Sequence, residues 1–169
     1  MSENIKLPGR AGSRPPTTPW MPHMQIQVTP DPEVKAELFR RCYSLPGVRN
    51  EPTRISIPGA RALWLSENLP LAHEEVILVG REFAHIHPDG SLHVTLSPER
   101  AREAIEAAWA EVHPLAHQIG IEGMVLLYTA RDMQELDVIF QLIVDSYNYV
   151  TGASIQPDEI VKSLQEISK

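Results

Sequence analysis

The sequence predicts an α+β fold: a single domain in which an antiparallel sheet carries helices packed on one face. Short apolar segments at residues 53–57, 62–65, 75–80 and 83–96 follow one another as hairpin strands would. Amphipathic helical patterns come before and after these segments, whereas a parallel βαβ fold would alternate strands with helices. A chain of 169 residues is long enough to bury its own core.

Composition narrows the classes of partner. Fifteen Lys and Arg against 22 Asp and Glu give a net charge of −7, and the basic residues are scattered without interleaved aromatics. We therefore expect no nucleic-acid partner. The single Cys42 cannot form an internal disulfide, and no N-terminal apolar run predicts a secretory signal or a membrane anchor. These features predict a soluble cytoplasmic protein without a membrane partner, and they leave the oligomeric state undefined.

The N-terminal residues differ from the rest of the chain. Residues 1–23 contain five prolines and two glycines and show no apolar period. We interpret them as a Pro-rich flexible leader that is dispensable for folding, followed by one domain at residues 24–169.

The first helix is predicted to begin after Asp31 as N-cap, with Pro32 at its first position, and to end at Pro46. Cys42 shares the apolar stripe of this helix with Val34 and Leu38. Because free cysteine behaves as a small buried hydrophobe, we interpret Cys42 as a core residue and not as a nucleophile.

Three further helices are predicted in the second half of the chain. One begins after Ser97 and runs to His113, with Ala108 on its core face. A strand follows at residues 124–130. Asp132 and Glu135 form a capping pair for a long helix that ends at Gly152, and residues 156–168 predict a short terminal helix.

The stretch EFAHIHPDGSLHVTL, residues 82–96, collects three histidines around a turn. A Pro-Asp-Gly loop with Gly90 in the left-handed conformation predicts a hairpin in which His85 lies opposite His93. Since side chains alternate along a strand, one face is expected to be the apolar core face and the other a half-exposed polar face. The polar face would carry Phe83, His85, His87, Ser91, His93 and Thr95.

A single histidine on a sheet face needs no functional explanation, but three on one face predict a site. Cβ atoms of directly opposed residues lie about 5 Å apart, so two imidazoles can meet at one proton or one ion. His113 also has a structural interpretation, because a cationic imidazole at a helix C-terminus is favoured by the helix dipole. His23 falls in the leader, and His73 and His117 fall in predicted loops.

At these residues the chain resembles a known family. The blocks REFAHIHPDGSLHVTLSPERAREAIEAAWAEVHPLA and LLYTARDMQELDVIFQLIVDSYNYVTG are similar to the luciferase-like domain family, over about residues 75–152. Its fungal members oxidise a hydroxylated styrylpyrone with dioxygen. The resemblance therefore implies a small-molecule oxidoreductase in which the family's histidines correspond to His85, His87, His93 and His113.

Our first hypothesis is a cofactor-independent reaction of an enol or phenol with dioxygen. A neutral imidazole is available as a base near neutral pH. His85 or His93 would be this base, with its cross-strand partner orienting it, and His113 with Arg131 would stabilise the substrate anion. The aromatic wall of the substrate site would be formed by Trp109 and Tyr128, although both residues fit the core of the domain equally well.

Two alternatives remain open at the level of sequence. His85, His87 and His93 match the three nitrogen ligands of a catalytic divalent metal such as zinc. Iron would require two histidines and a carboxylate on one face. Strict alternation sends Glu82 to the face opposite His85, and only a bulge at Gly80 would reverse this. The third hypothesis is a non-enzymatic protein that binds a small molecule on the histidine face.

Overall fold

A computed structural model describes residues 5–168 of the chain. Its six strands form one antiparallel sheet in the order β1-β2-β3-β4-β6-β5. The strands are β1 (Val48–Pro52), β2 (Arg61–Leu65), β3 (Glu82–Ile86), β4 (Leu92–Thr95), β5 (Ala110–Val112) and β6 (Met124–Leu127). The helices are α1 (Pro32–Cys42), α2 (Pro98–Glu106), α3 (Ala116–Ile119), α4 (Met133–Thr151) and α5 (Pro157–Ile167). The predicted α+β class is confirmed.

The predicted caps begin three of the helices. The side chains of Asp31, Ser97 and Asp132 each accept a backbone hydrogen bond from the first turn of α1, α2 and α4 respectively. Helix α4 ends at Gly152, whose φ of 81° is the left-handed conformation that glycine adopts without strain. None of the helices in residues 5–168 is long and apolar enough to cross a bilayer.

The main core lies between the sheet and helices α1 and α4. Tyr147 of α4 packs against Phe83 of β3, and Ser146 of α4 donates a hydrogen bond to the carbonyl of Thr95 in β4. Cys42 is fully buried in this core, as predicted, and burial raises the pKa of its thiol. The thiol therefore stays protonated, which agrees with a packing role.

The hairpin of β3 and β4 has the predicted register. His85 lies opposite His93, and Ile86 lies opposite Leu92. The turn is closed by a hydrogen bond from the Gly90 amide to the His87 carbonyl, with Gly90 at φ 88°. The apolar side chains of Ile86 and Leu92 are fully buried on the core face.

Two predicted strands do not form. Residues 53–57 lie in a loop, and residues 74–80 contain a short 3-10 turn at Glu74–Val76 followed by irregular chain. Strand β1, which pairs with β2 in their place, was not predicted. Its sequence VRNEP is polar and ends in proline, which is typical of an edge strand and gives little strand signal.

The prediction that the second helix reaches His113 is also wrong, because α2 ends at Glu106. The Ala108 amide donates to the Ile105 carbonyl and the Trp109 amide to the Ala104 carbonyl, the two bonds of a Schellman motif. Ala108 takes the left-handed position of this motif, at φ 68°. Alanine has a high helix propensity, so no stop signal is recognisable at Ala108.

The N-terminal segment makes specific contacts that its composition does not predict. Leu7 is buried, its amide donates to Glu103 of α2, and the Trp109 indole donates to the carbonyl of Pro8. Farther along, the Arg14 guanidinium donates to the carbonyl of Ala110. Residues 5–23 therefore lie against the domain, while residues 1–4 are outside the described part of the chain.

Candidate functional site

Five imidazoles converge on the sheet face opposite α1 and α4. Hairpin β3–β4 supplies three of them, the chain after β5 supplies His113, and the N-terminal segment supplies His23. The ring centroid of His93 lies 4.6 Å from those of His87 and His113, 5.0 Å from that of His85 and 5.3 Å from that of His23. All five side chains are buried, so the predicted half-exposed polar face is in fact covered by other parts of the chain.

A β-bulge brings Glu82 to the same cluster. Along the β2–β3 ladder Leu63 pairs with Ala84 but Trp64 pairs with Glu82, so Phe83 is an extra residue in β3. The predicted alternation is therefore reversed at this end of the strand. Phe83 packs on the core face against Tyr147, and Glu82 lies beside His85.

A continuous row of hydrogen bonds crosses the cluster between two carboxylates. From one end, Glu82 Oε2 lies 3.1 Å from His85 Nδ1, and His85 Nε2 lies 3.0 Å from His93 Nδ1. His93 Nε2 lies 3.2 Å from His23 Nδ1, and His23 Nε2 lies 2.9 Å from Glu111 Oε2. Both ring nitrogens of these three histidines are therefore engaged.

Further hydrogen bonds fix the two carboxylates of this row. Glu82 accepts from the Thr53 hydroxyl and from the amide of Arg54. Glu111 accepts from the hydroxyls of Thr17 and Tyr128. These donors, together with the imidazoles, oppose the effect of burial and lower the pKa of both carboxyl groups. Both glutamates are therefore ionised at neutral pH.

His87 and His113 stand beside the row and make separate contacts. His87 Nδ1 lies 2.9 Å from the hydroxyl oxygen of Ser91, and that hydroxyl donates to Asp89 Oδ1 over 2.6 Å. His113 Nδ1 accepts a hydrogen bond of 3.0 Å from the Leu115 amide. Within residues 5–168, Nε2 of His87 and Nε2 of His113 make no hydrogen bond to protein.

Burial keeps several of these imidazoles neutral. Burial first, and then the neighbouring histidines, lower the pKa of His87 to about 3 and that of His113 to about 4. The same causes lower the pKa of His93. Neutral imidazoles carry a lone pair, so they can accept a proton or bind a metal ion.

The histidines line a cleft of about 520 Å³, a size suited to a small organic molecule. The rest of its wall is apolar except for Ser56, and none of the Lys, Arg, Asp and Glu residues within 5–168 lines it. Its apolar members are Met21, Pro22, Ile55, Ile57, Pro58, Leu78, Leu115, Ile119 and Met124. An apolar wall with a few convergent polar groups is typical of ligand sites.

Two groups of three histidines are close enough to hold a metal ion. His85, His87 and His93 have ligand atoms within 4.8 Å of one another, as do His23, His93 and His113. The second group fits poorly. The Leu115 amide occupies Nδ1 of His113, so Nε2 of the neutral ring carries the proton and has no lone pair for a metal.

Three other predicted site residues lie away from this cleft. Trp109 packs in the main core, and Tyr128 is buried with its hydroxyl on Glu111. Arg131 forms an ion pair with Glu135 and lines a different cleft of about 480 Å³. Trp109, Tyr128 and Arg131 are therefore not among the described residues that line the histidine cleft, and their predicted role at the substrate stays a prediction.

Sequence reasoning missed His23, Glu82 and Glu111 as members of the site. His23 stands in the proline-rich segment and carries no periodic signal. Glu111 was expected on a helix because the stop at Ala108 was not recognised. Strict alternation placed Glu82 on the other face; the bulge that would reverse this was considered at Gly80, whereas the extra residue is Phe83. No pattern in one sequence would have brought these three together.

Similarity to known proteins agrees with this site. A family model described as Luciferase domain matches residues 80–146, which include four of the five clustered histidines. The luciferase of Armillaria gallica is 30% identical over 168 aligned residues, which cover 86% of this chain and 62% of the relative. The luciferase of Neonothopanus nambi is 29% identical over 106 residues, covering 55% of this chain and 39% of the relative.

The luciferase of Armillaria mellea is 29% identical to this chain. The chain spans about three fifths, 62%, of the length of both Armillaria relatives. No solved structure gives a significant match. Residues 80–146 thus match the Luciferase domain, and the identity over most of the chain makes this protein similar to the luciferase-like domain family.

Proposed function

We propose that the protein is a small-molecule oxidoreductase that promotes the reaction of an enol or phenol with dioxygen in the histidine cleft. The observation that carries this proposal is a set of five buried imidazoles on the floor of an apolar cleft. The names of the similar proteins, which are luciferases, also support the proposal. This chain covers only part of the length of these relatives.

The chemistry needs a base, an environment that excludes water, and access for oxygen. A neutral imidazole takes the hydroxyl proton of the substrate, and the electron pair of the broken O–H bond remains on the substrate. The resulting carbanion-like anion bonds to dioxygen through carbon and forms a peroxide, so substrate and oxygen are consumed one to one. The apolar wall strengthens hydrogen bonds to the anion, because few water dipoles compete with them.

Oxygen uptake tests the proposal. Purified protein would be mixed with a panel of simple phenols and 4-hydroxy-2-pyrones, and oxygen consumption followed with an electrode. We expect uptake with at least one hydroxypyrone, and a fall of about 10²-fold or more in His87→Gln, the range for loss of a general base. His117→Gln is the matched control, because His117 lies on α3 outside the cleft lining. Absence of uptake across the whole panel contradicts the proposal.

A metal-dependent enzyme is the second candidate, because the ligand atoms of His85, His87 and His93 lie within 4.8 Å of one another. Glu82 hydrogen-bonds to Nδ1 of His85 and Ser91 to Nδ1 of His87. In metal-binding histidines, such a bond to the nitrogen that does not bind the metal orients the ring. Elemental analysis separates the two candidates. One zinc or iron per chain, lost in His85→Ala and in His87→Ala, supports the metal site.

A further inference from the structure

The hydrogen bonds of His87 define which of its nitrogens carries the proton. Ser91 Oγ lies 2.6 Å from Asp89 Oδ1 and donates its only proton to that oxygen. The same oxygen can then only accept from His87 Nδ1, 2.9 Å away. In neutral His87 the proton is therefore on Nδ1, and Nε2 carries a lone pair.

The turn of the hairpin holds this arrangement in place. Asp89 Oδ1 also accepts a 2.8 Å hydrogen bond from the Ser91 amide, which fixes the carboxylate against the start of β4. Ser91 is fully buried and His87 is 2% exposed. Their side chains therefore have little freedom to exchange partners.

His113 has the opposite arrangement. Its Nδ1 accepts from the Leu115 amide, so the proton of the neutral ring is on Nε2. Both His87 and His113 line the cleft, and Nε2 of neither ring meets a protein partner in residues 5–168. The cleft thus contains one imidazole ready to accept a proton and one ready to donate a hydrogen bond.

We propose that His87 is the proton acceptor of the cleft, that His113 is the hydrogen-bond donor to the substrate anion, and that Asp89 and Ser91 are the positioning residues that orient His87. For its chemistry this assignment rests on the proposed function. It differs from the expectation that His85 or His93 is the base, because both nitrogens of those rings are occupied.

The proton balance of the step is simple. The O–H bond of a neutral enol or phenol breaks, its proton moves to Nε2 of His87, and the electron pair stays on the substrate oxygen. The Nδ1 proton of the imidazolium remains in its hydrogen bond to Ser91 Oγ. His113 Nε2–H donates to the oxygen anion, while dioxygen adds at the conjugated carbon.

This geometry also selects the ligand. A substrate that enters with its hydroxyl protonated meets an acceptor in His87, whereas a permanently ionised group such as a carboxylate meets no Lys or Arg among the described residues that line the cleft. The apolar wall suits an uncharged aromatic or pyrone body. The site should therefore prefer neutral hydroxyl compounds to carboxylates of the same size.

Nuclear magnetic resonance of the ¹⁵N-histidine-labelled protein tests the assignment without relying on activity. Two-bond ¹H–¹⁵N correlations at pH 7.5 distinguish a protonated from a bare ring nitrogen. We expect His87 to carry its proton on Nδ1 and His113 on Nε2. The opposite form at either ring overturns the assignment, whether or not oxygen uptake is found.

Variants then test the positioning residues. Ser91→Ala removes the acceptor of the His87 Nδ1 proton, so the His87 signals should shift toward a mixture of the two forms while those of His113 do not change. Ser146→Ala is the matched control, since it removes an equally buried hydroxyl that contacts no histidine. An unchanged His87 in Ser91→Ala contradicts the positioning role. If the ring forms are as expected but the oxygen-uptake panel is negative, the proposed function fails and only the assignment of the protonated nitrogen in His87 and in His113 stands.

Discussion

His85 Nε2 lies 3.0 Å from His93 Nδ1, across the β3–β4 ladder. The contact arises because the two residues are directly opposed in the hairpin and point to the same face. Each ring is also bonded on its far side, His85 to Glu82 and His93 to His23. The two histidines are therefore parts of a buried polar network, and their removal affects stability as well as chemistry.

We expect His85→Ala to lower the free energy of unfolding by about 1–3 kcal/mol, because it removes one hydrogen bond from the buried Glu82 and leaves Nδ1 of the buried His93 without a partner. Leu92→Ala, on the core face of the same hairpin, should cost about 2–5 kcal/mol through the cavity it creates. Denaturant unfolding measures both. Only His85→Ala should also lower the rate of oxygen uptake per amount of folded protein. An equal loss of this specific activity in both variants would contradict a role of His85 in the site.

Ala108→Gly should stabilise the protein by about 1 kcal/mol, since alanine pays a steric penalty in the left-handed conformation that glycine avoids. The matched control is Ala104→Gly, in the interior of α2, which should destabilise by about 1 kcal/mol. Thermal melting compares the two directly. A lower melting temperature for Ala108→Gly would show that the methyl group of Ala108 contributes packing that outweighs the strain.

Stability should fall as the pH is lowered from about 6.5 toward about 4. The pKa of His87 is about 3 and that of His113 about 4 in the folded state, each below the ordinary 6.5 because of burial. In this window the unfolded chain binds more protons than the folded one, so each such histidine makes unfolding easier by up to about 1.4 kcal/mol per pH unit. Below about pH 4.5 the loss of ionised Glu82 and Glu111, whose pKa values are lowered in the fold, adds to the effect.

Urea unfolding between pH 7.5 and pH 4 measures this slope. His113→Gln removes one titrating group and should give a shallower dependence on pH. A slope in this variant equal to that of the wild type would show that His113 does not stay neutral in the folded protein.

For removal of the N-terminal segment, the composition of the segment and its contacts in the structure predict different effects on stability. Composition predicts that a chain lacking residues 1–20 melts like the full one. The burial of Leu7 and the hydrogen bonds of Trp109 and Arg14 predict instead a melting temperature lower by several degrees, at about 4–8 °C per kcal/mol for domains of 60–100 residues and less for larger ones. Deletion of residues 1–4 is the control. If both deletions melt alike, the segment contributes no stability and the prediction from composition holds.

The sequence by itself determined the hairpin of the site. The Pro-Asp-Gly loop and the alternation of residues 91–96 are local signals, so the pairing of His85 with His93 could be predicted from a few neighbouring residues. The caps at Asp31, Ser97 and Asp132 are local for the same reason.

Only the tertiary structure decided what surrounds those histidines. His23 reaches His93 across 70 residues of sequence, and Glu111 reaches His23 across 88. Contacts at such separations depend on how the whole chain packs, and neither residue lies in a periodic pattern. Glu82 joined the site through a bulge, and a single extra residue in β3 reverses which face a side chain occupies. Local patterns fix pairings between neighbouring strands, whereas the members of a buried site come from segments whose meeting no local pattern encodes.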